Sequence, residues 1–337
     1  TLQFIYGDTF TDGLVNYMND SDQRLAEGVS RLLKRSQDSS VNKLVMENFP
    51  QGSSVYQALA LRVVVARGDA DASNLVALSL KSESQDVRAE AAILSSLVKP
   101  SSVVPGLIHL VLEGSDHDVL AASKSLMRIP SDRSSMALRK AYDKAGDAAK
   151  IKLLNIIASK SEAANADLAL KATLESDKKV IKAAFSALKN IAEYRQVSDL
   201  LTMLTNAGTS TQRRGYQAAL VTASFGKADV VSKEVLKLTN AGASSKSNIA
   251  LIQVLSRIGG ADAFSGLKNL YEQGSEAVQK ESLRSLAKWD SIDQVTELLQ
   301  IAASTTGNNK TLMTRGLSSL IVNSHLAQAK KKSLLVK

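Results

Sequence analysis

Histidine is the residue most often used for acid–base catalysis and metal binding, and this sequence has three: His109, His117 and His325. None belongs to a His-Glu-x-x-His motif or to a comparable metal-ligand spacing. His109 lies in an apolar run, which favours a position in the core or at the edge of a groove. His117 stands between two aspartates, where a turn and helix cap are favoured over a weak cation site. His325 has no candidate partner nearby, so the histidines predict no metal site.

Nucleophilic and phosphate-binding motifs are also missing from the sequence. It contains neither Gly-x-Ser-x-Gly nor Gly-x-x-x-x-Gly-Lys-Ser/Thr, and its cysteine count of 0 excludes thiolate zinc sites and cysteine nucleophiles. Its serine pairs, such as Ser39-Ser40 and Ser244-Ser245, precede helical segments, where hydroxyl groups cap free amides. We therefore predict no catalytic residue and no cofactor.

Composition points to a folded, basic chain. The 337 residues are 44% hydrophobic, and 42 Lys and Arg stand against 33 Asp and Glu, a formal charge of +9. No apolar run approaches the roughly 20 residues that a membrane-spanning helix needs. The absence of cysteine favours a bacterial periplasmic, envelope or secreted location, because free thiols are a liability there. The chain begins at Thr1 without a basic and apolar leader, which indicates a processed or cut chain.

Hydrophobic residues follow a helical period almost everywhere, as at Leu251, Val254, Leu255 and Ile258. Breaks with Ser, Asp, Asn or Gly recur about every 32 residues, and each precedes a helix of about four turns. Eight shorter helical segments alternate with these helices. They span residues 70–80, 103–112, 134–142, 163–174, 197–204, 230–238, 264–271 and 292–303. The pattern predicts about ten helical hairpins, each of which buries its apolar face only by stacking on its neighbours.

The segment Asp86-Val87-Arg88-Ala89-Glu90-Ala91-Ala92-Ile93-Leu94 resembles the second helix of short HEAT-like repeats. Weaker echoes start at Asp118, Lys179 and Glu276. The resemblance implies an all-α fold, a right-handed α-α superhelix. Tetratricopeptide repeats need aromatic positions that a chain with 4% aromatics cannot supply, and ankyrin repeats need a Thr-Pro-Leu-His turn that is missing. Leucine-rich repeats would show a strand in each unit.

We expect three regions along the chain. Residues 1–10 are predicted to be an N-terminal extension or cap, residues 11–326 the repeat array, and residues 327–337 a basic C-terminal tail cut from a longer chain. The only tryptophan, Trp289, is predicted to pack between repeats.

Charge is unevenly distributed along the repeats. The ten longer helices carry about 27 Lys and Arg against about 10 Asp and Glu, whereas the remainder is acidic. The family resemblance implies that these second helices line the concave surface, which would then be basic. The partner-binding residues predicted on this surface are Arg24, Arg31, Arg62, Arg88, Lys124, Arg128, Lys182, Lys189, Arg213, Arg214, Arg284 and Lys288.

These features favour a non-catalytic interaction scaffold that binds a protein, a peptide or another acidic partner along the basic face. An acidic polysaccharide or nucleic acid remains an alternative partner, although the second helices have few aromatic residues on which bases could stack. A further alternative is an accessory region of a larger bacterial envelope hydrolase whose catalytic domain lies outside this sequence. The array is expected to be a monomer or to associate end to end.

Overall fold

The computed structural model describes residues 11–161, 163–240 and 245–336. Within these ranges the chain is all-α, and two series of helices of overlapping lengths alternate along it, so the expected alternation of longer and shorter helices is wrong. The predicted cap at residues 1–10 lies outside the described residues. We number the helices in chain order, so that the predicted second helices are the even ones.

The ten even helices share a nearly constant spacing. They are α2 (Gln23–Arg35), α4 (Ser54–Ala66), α6 (Gln85–Leu94), α8 (Asp116–Arg128), α10 (Asp147–Lys160), α12 (Lys178–Ile191), α14 (Ser210–Ala223), α16 (Ser245–Ile258), α18 (Glu276–Leu286) and α20 (Gly307–Asn323). From α2 to α12 each begins 31 residues after the previous one, and the later steps are 32, 35, 31 and 31. This regularity confirms the predicted repeat.

The odd helices connect the even ones. They are α1 (11–17), α3 (Ser40–Asn48), α5 (Ala72–Ser79), α7 (Pro100–Glu113), α9 (Ser131–Lys144), α11 (Ala166–Ala172), α13 (Val197–Thr205), α15 (Ala228–Asn240), α17 (Ala261–Gln273), α19 (Val295–Ser304) and α21 (Gln328–Leu335). Short 3-10 turns, such as Ser95–Leu97 and Tyr194–Gln196, join some of them. The sequence pattern missed α3, and the predicted tail at 327–337 contains α21, which packs on α20.

Local sequence signals explain where these helices begin and turn. The Asp22 carboxylate accepts from the amides of Arg24 and Leu25 at the start of α2, and the Ser53 hydroxyl accepts from the Tyr56 amide at the start of α4. Gly259 and Gly260 have φ values of 72° and 90° between α16 and α17. These left-handed conformations suit glycine and form the turn between the two helices.

The described residues form two compact units. The first comprises residues up to 165 together with 176–180, and the second comprises 166–175 and the residues from 181 onward. In the first unit consecutive even helices from α2 to α10 contact one another, and α5, α7 and α9 form a second layer. In the second unit α14, α16, α18 and α20 form one layer, and α15 contacts α17 in the other. The core lies between the two layers of each unit.

Large buried side chains fill these cores. In the first unit Tyr56, Leu107 and Leu126 are almost fully buried, and the Tyr56 hydroxyl donates to the Val45 carbonyl over 3.2 Å. In the second unit the rings of Phe264 and Trp289 meet edge to face with centroids 5.3 Å apart. Trp289 is 3% exposed, which confirms its predicted packing role.

Candidate functional site

One surface of each unit is formed by the outward side chains of the even helices, and we call it the even-helix face. A constant repeat length places equivalent positions of successive even helices side by side. The ninth residues of these helices show the pattern, because they are mostly polar or basic. They are Arg31, Arg62, Ile93, Lys124, Asn155, Ser186, Ala218, Gln253, Arg284 and Arg315.

Positive charge is concentrated in the even helices. Helices α2 to α20 of the even series contain 23 Lys and Arg against 8 Asp and Glu, whereas α3 to α19 of the odd series contain 9 against 11. The even helices therefore carry a net charge of +15, whereas the odd helices α3 to α19 carry a net charge of −2. A partner approaching the even-helix face therefore meets a positive potential that the odd layer does not offer.

Nine of the twelve predicted partner-binding cations are solvent-exposed. Arg31 and Arg284 are within 3.4 and 3.5 Å of glutamates on their own helices, Glu27 and Glu281. The other seven have no carboxylate partner within the part of the chain that the structure describes. These seven are Arg24, Lys124, Arg128, Lys182, Lys189, Arg214 and Lys288.

The remaining three predicted cations, Arg62, Arg88 and Arg213, are half-buried and form hydrogen bonds within the protein. Arg62 on α4 forms two hydrogen bonds to Glu90 on α6, of 2.8 and 2.6 Å. The charges of Arg62 and Glu90 are therefore largely satisfied within the fold, and Arg88 is paired with Asp118 in the same way.

Arg88 bridges two repeats in the same way. Its guanidinium donates to both carboxylate oxygens of Asp118 on α8, over 3.1 and 2.9 Å, and to the carbonyls of Ser82 and Glu83. Arg213 donates to the Ala207 carbonyl over 2.9 Å. Sequence reasoning grouped these three with the surface cations because their type and register are the same. Only the helix packing distinguishes them.

Two pKa shifts follow from these contacts. Burial acts to raise the pKa of the Asp118 carboxyl, but hydrogen bonds from Arg88 and Ser115 outweigh it and hold the pKa below its ordinary value. Burial, followed by the repulsion of Arg62, lowers the pKa of the Lys34 ammonium. The first shift indicates a carboxylate that remains ionised inside the fold.

Several residues of the even-helix face were missed by sequence reasoning. Lys246, Arg257, Lys280 and Arg315 are exposed cations on α16, α18 and α20. Aligning the ninth positions of the even helices would have identified Arg315. Aligning the thirteenth positions would have identified Arg257, because Arg128 and Lys288 occupy the same position in the registers of α8 and α18. The register was uncertain there, because the step from α14 to α16 is 35 residues.

Apolar side chains are also exposed on this face in the first unit. Val55 and Ile93, 41% and 51% exposed, line one groove formed by α2, α4 and α6, and Glu27 and Arg62 also line it. On α8, Leu120 is exposed one turn before Lys124. Met127 continues the same stripe. This mixture of apolar and cationic groups is typical of protein-binding surfaces.

The three histidines are not brought together. His109 is exposed on α7 beside the groove that also holds Arg88 and Glu113. His117 lies in the first turn of α8, whose cap is the Ser115 hydroxyl, and His325 is exposed after α20. Among the described residues, no three or more His, Cys, Asp or Glu side chains are arranged to hold a metal ion. None of the helices in the described ranges has both the length and the apolar composition needed to cross a bilayer.

Comparison with known proteins gave structural similarities alone. No protein-family model matches the chain, and no curated protein matches it. An engineered protein of known structure is 17% identical with a TM-score of 0.39, covering 97% of this chain and 98% of its own. The karyopherin Kap121p, solved bound to the extreme C-terminus of the phosphatase Cdc14p, is 13% identical with a TM-score of 0.48 over 93% of this chain. Kap121p bound to Ste12p is 12% identical with a TM-score of 0.43 over 92%.

The chain spans 41% and 45% of the lengths of these two karyopherin chains. Its own helices establish the architecture: each unit consists of helical hairpins in two layers, and most of the positive charge lies on the even helices. The chain is an all-α helical-repeat protein.

Proposed function

We propose that this chain is a non-catalytic HEAT-like scaffold that binds a protein or peptide with acidic groups along its even-helix face. The observation that carries the proposal is the separation of charge between the two layers, 23 cations against 8 anions in the even helices and 9 against 11 in the odd helices α3 to α19. Cations that merely solvated the protein would have no reason to favour one layer. We further propose, from the family resemblance, that this face is concave.

Exposed apolar groups support a protein partner over a nucleic acid or a polysaccharide. Ile93, Leu120 and Met127 are 51%, 54% and 42% exposed on the even helices of the first unit. Phosphate backbones and acidic sugars offer such side chains little to pack against, whereas peptides supply apolar groups of their own. Aromatic stacking groups are also scarce there: Phe185 and Tyr216 are buried against each other with centroids 5.0 Å apart.

Charge reversal on one layer at a time tests the proposal. The Lys189→Glu/Arg214→Glu variant changes two exposed cations on α12 and α14 that have no carboxylate partner among the described residues. Its control, Lys171→Glu/Lys237→Glu, makes the same charge change on α11 and α15 of the odd layer. Proteins retained by each immobilised variant from an extract of the source cells are compared at about 50 and 200 mM salt.

We expect the even-layer variant to lose the partners that the wild-type chain retains at low salt, and the odd-layer variant to keep them. Equal loss in both variants would show that binding depends on the net charge of the protein and not on the even-helix face, and it would overturn the proposal. Equal retention would also overturn it.

A further inference from the structure

A polar cleft crosses three even helices of the second unit. Its walls are Gln217 on α14, Gln253, Ser256 and Arg257 on α16, Glu281, Arg284 and Ser285 on α18, and Lys288 in the turn after α18. Three of these eight side chains are cations and one is an anion. The cleft therefore carries an excess of two positive charges in a small volume.

The three cations lie around the same space because of helix geometry. Arg284 lies in the last turn of α18, and Lys288 follows two residues after that helix ends at Leu286, so both line the same end of the cleft. Arg257 occupies the thirteenth position of α16, as Lys288 does in the register of α18, and these two helices pack side by side. Like charges that line one cleft repel one another, so the arrangement favours an anion between them.

A chain of hydrogen bonds fixes the floor of the cleft. Gln217 donates to the Ala250 carbonyl over 3.0 Å and to the Gln253 side-chain oxygen over 2.9 Å. Gln253 in turn donates to Glu281 over 2.7 Å. The other Glu281 oxygen lies 3.5 Å from the Arg284 guanidinium. Because Glu281 is held from the far side, Arg284 is positioned before any ligand arrives.

The other two cations have no such partner. Neither Arg257 nor Lys288 forms an ion pair or a side-chain hydrogen bond with the residues that the structure describes, and both are exposed. Together with Arg284 they can supply charge-assisted hydrogen bonds from three directions to one group with two acceptor oxygens.

We propose that this cleft binds a carboxylate of the partner, the side chain of an Asp or Glu in an acidic segment. The proposal rests on the protein-binding function proposed above and names one anchoring point for it. Glu281 serves as a positioning residue that orients Arg284 and limits the charge of the empty cleft.

An acetylated hexaglutamate peptide labelled with a dye is the probe, and its binding is followed by fluorescence anisotropy at about 50 mM salt. The Arg257→Gln/Lys288→Gln variant removes two cations from the cleft. The control variant, Lys237→Gln/Lys268→Gln, removes two cations from α15 and α17. We expect the cleft variant to bind at least about tenfold more weakly, and the control to stay within about twofold of the wild type. Equal weakening in both variants, or no weakening in the cleft variant, would overturn the proposal.

The Glu281→Gln variant is expected to bind the peptide more tightly, a result that a loss of folding could not produce. The amide oxygen can still accept from Gln253, but the competing negative charge is gone, so peptide binding should become a few fold tighter. Weaker binding by this variant would contradict the assignment of the three cations to the ligand.

Two salts as competitors identify the group that is bound. Acetate and inorganic phosphate are each titrated against the peptide at constant ionic strength. Displacement of the peptide by both salts, from the wild type and from the control variant alike, supports an oxyanion site. Phosphate acting at a tenfold lower concentration than acetate would overturn carboxylate as the ligand. If the extract experiment succeeds and the peptide experiment fails, the cleft assignment alone is wrong. The reverse result rejects the scaffold proposal and leaves the cleft.

Discussion

Asp118 shows how one residue can combine a local and a long-range role. Its carboxylate accepts from the Ser115 amide and hydroxyl, over 3.1 and 2.9 Å, at the start of α8. The same group accepts from Arg88 on the preceding even helix. The side chain of Asp118 is 1% exposed and that of Arg88 is 21% exposed, so water screens the pair weakly.

Removing one member of this pair should cost more than removing both charges. Arg88→Met leaves an ionised carboxylate buried without its cation and should lower the free energy of unfolding by about 3 kcal/mol. Arg88→Met/Asp118→Asn should recover part of the loss, because the amide keeps an acceptor without a charge. Urea denaturation at pH 7 measures both variants. A loss below about 1 kcal/mol for Arg88→Met would contradict the buried pair.

The lowered pKa of Asp118 also predicts how stability depends on pH. A carboxyl that titrates lower in the folded state than in the unfolded state stabilises the fold fully above the unfolded pKa, which is about 4. That contribution is lost as pH falls through the folded pKa. The stability difference between the wild type and Asp118→Asn should therefore be constant from about pH 7 to 5 and shrink below about pH 4. A difference that persists unchanged to pH 2.5 would show that Asp118 does not titrate with this shift.

Residue types alone indicated which side chains are basic but not which are free. Arg62, Arg88 and Arg213 read as surface cations, because each follows the helical period of the exposed side. The partners of Arg62 and Arg88 are Glu90 and Asp118, which lie 28 and 30 residues further along the chain. A contact over one repeat length cannot be read from the local pattern. It becomes visible only when adjacent helices are aligned.

At the scale of helices, basic side chains also close the ends of neighbouring repeats. Arg67, just after α4, donates to the carbonyls of Leu33, Ser36 and Asp38 at the end of α2. Lys160 at the end of α10 donates to the carbonyls of Leu126 and Ile129 at the end of α8. Both side chains donate hydrogen bonds to carbonyl groups that a helix leaves unpaired at its end. Their positive charges also interact favourably with the negative end of the helix dipole.

Close packing of α20 on α18 depends on a glycine. A Cβ at Gly316 would collide with the Ala287 carbonyl, which is backbone and cannot rotate away. Gly316→Ala should therefore separate the two helices and lower the free energy of unfolding by about 2 kcal/mol. Thermal or urea unfolding followed by circular dichroism measures the change.

Gly28 in the middle of α2 is the matched control for this substitution. Apart from its chain neighbours and the backbone of its own helix, no atom lies within 4 Å of the position that its Cβ would occupy. Gly28→Ala should stabilise the protein by up to about 1 kcal/mol, because alanine favours a helix over glycine. If both substitutions change stability in the same direction, the close contact at Gly316 does not govern its effect.

Most helices could be predicted from the sequence because their apolar period and their caps agree. Helix α3 (Ser40–Asn48) was not predicted because its nine residues bury only Val41 and Val45, so its apolar residues show only a weak helical period. The start of α8 was predicted at the Asp116-His117 break, but the capping residue is Ser115, which forms a reciprocal capping box with Asp118. Cap residues in a run of polar side chains are difficult to choose without the backbone.

At the scale of the whole molecule, the two series of helices differ in charge. Odd helices bury apolar groups and carry nearly balanced charge, while even helices stack on one another and present cations. The sequence correctly predicted an excess of positive charge on the second helices, because the hairpin period identifies which segments these are. It could not separate the cations that bridge repeats from those available to a partner, because that distinction arises from packing across repeats.

The central claim is that partners bind the even helices, and site-specific photo-crosslinking tests it most directly. A benzophenone amino acid replaces Ile93 or Leu120 on the even helices, or Leu78 or Met136 on the odd helices, all of which are exposed side chains of the first unit. Irradiation in the source cells is followed by identification of the attached proteins. The account predicts a common crosslinked partner at Ile93 and Leu120 and none at Leu78 and Met136. The same partner at the odd positions, with none at the even positions, would contradict it.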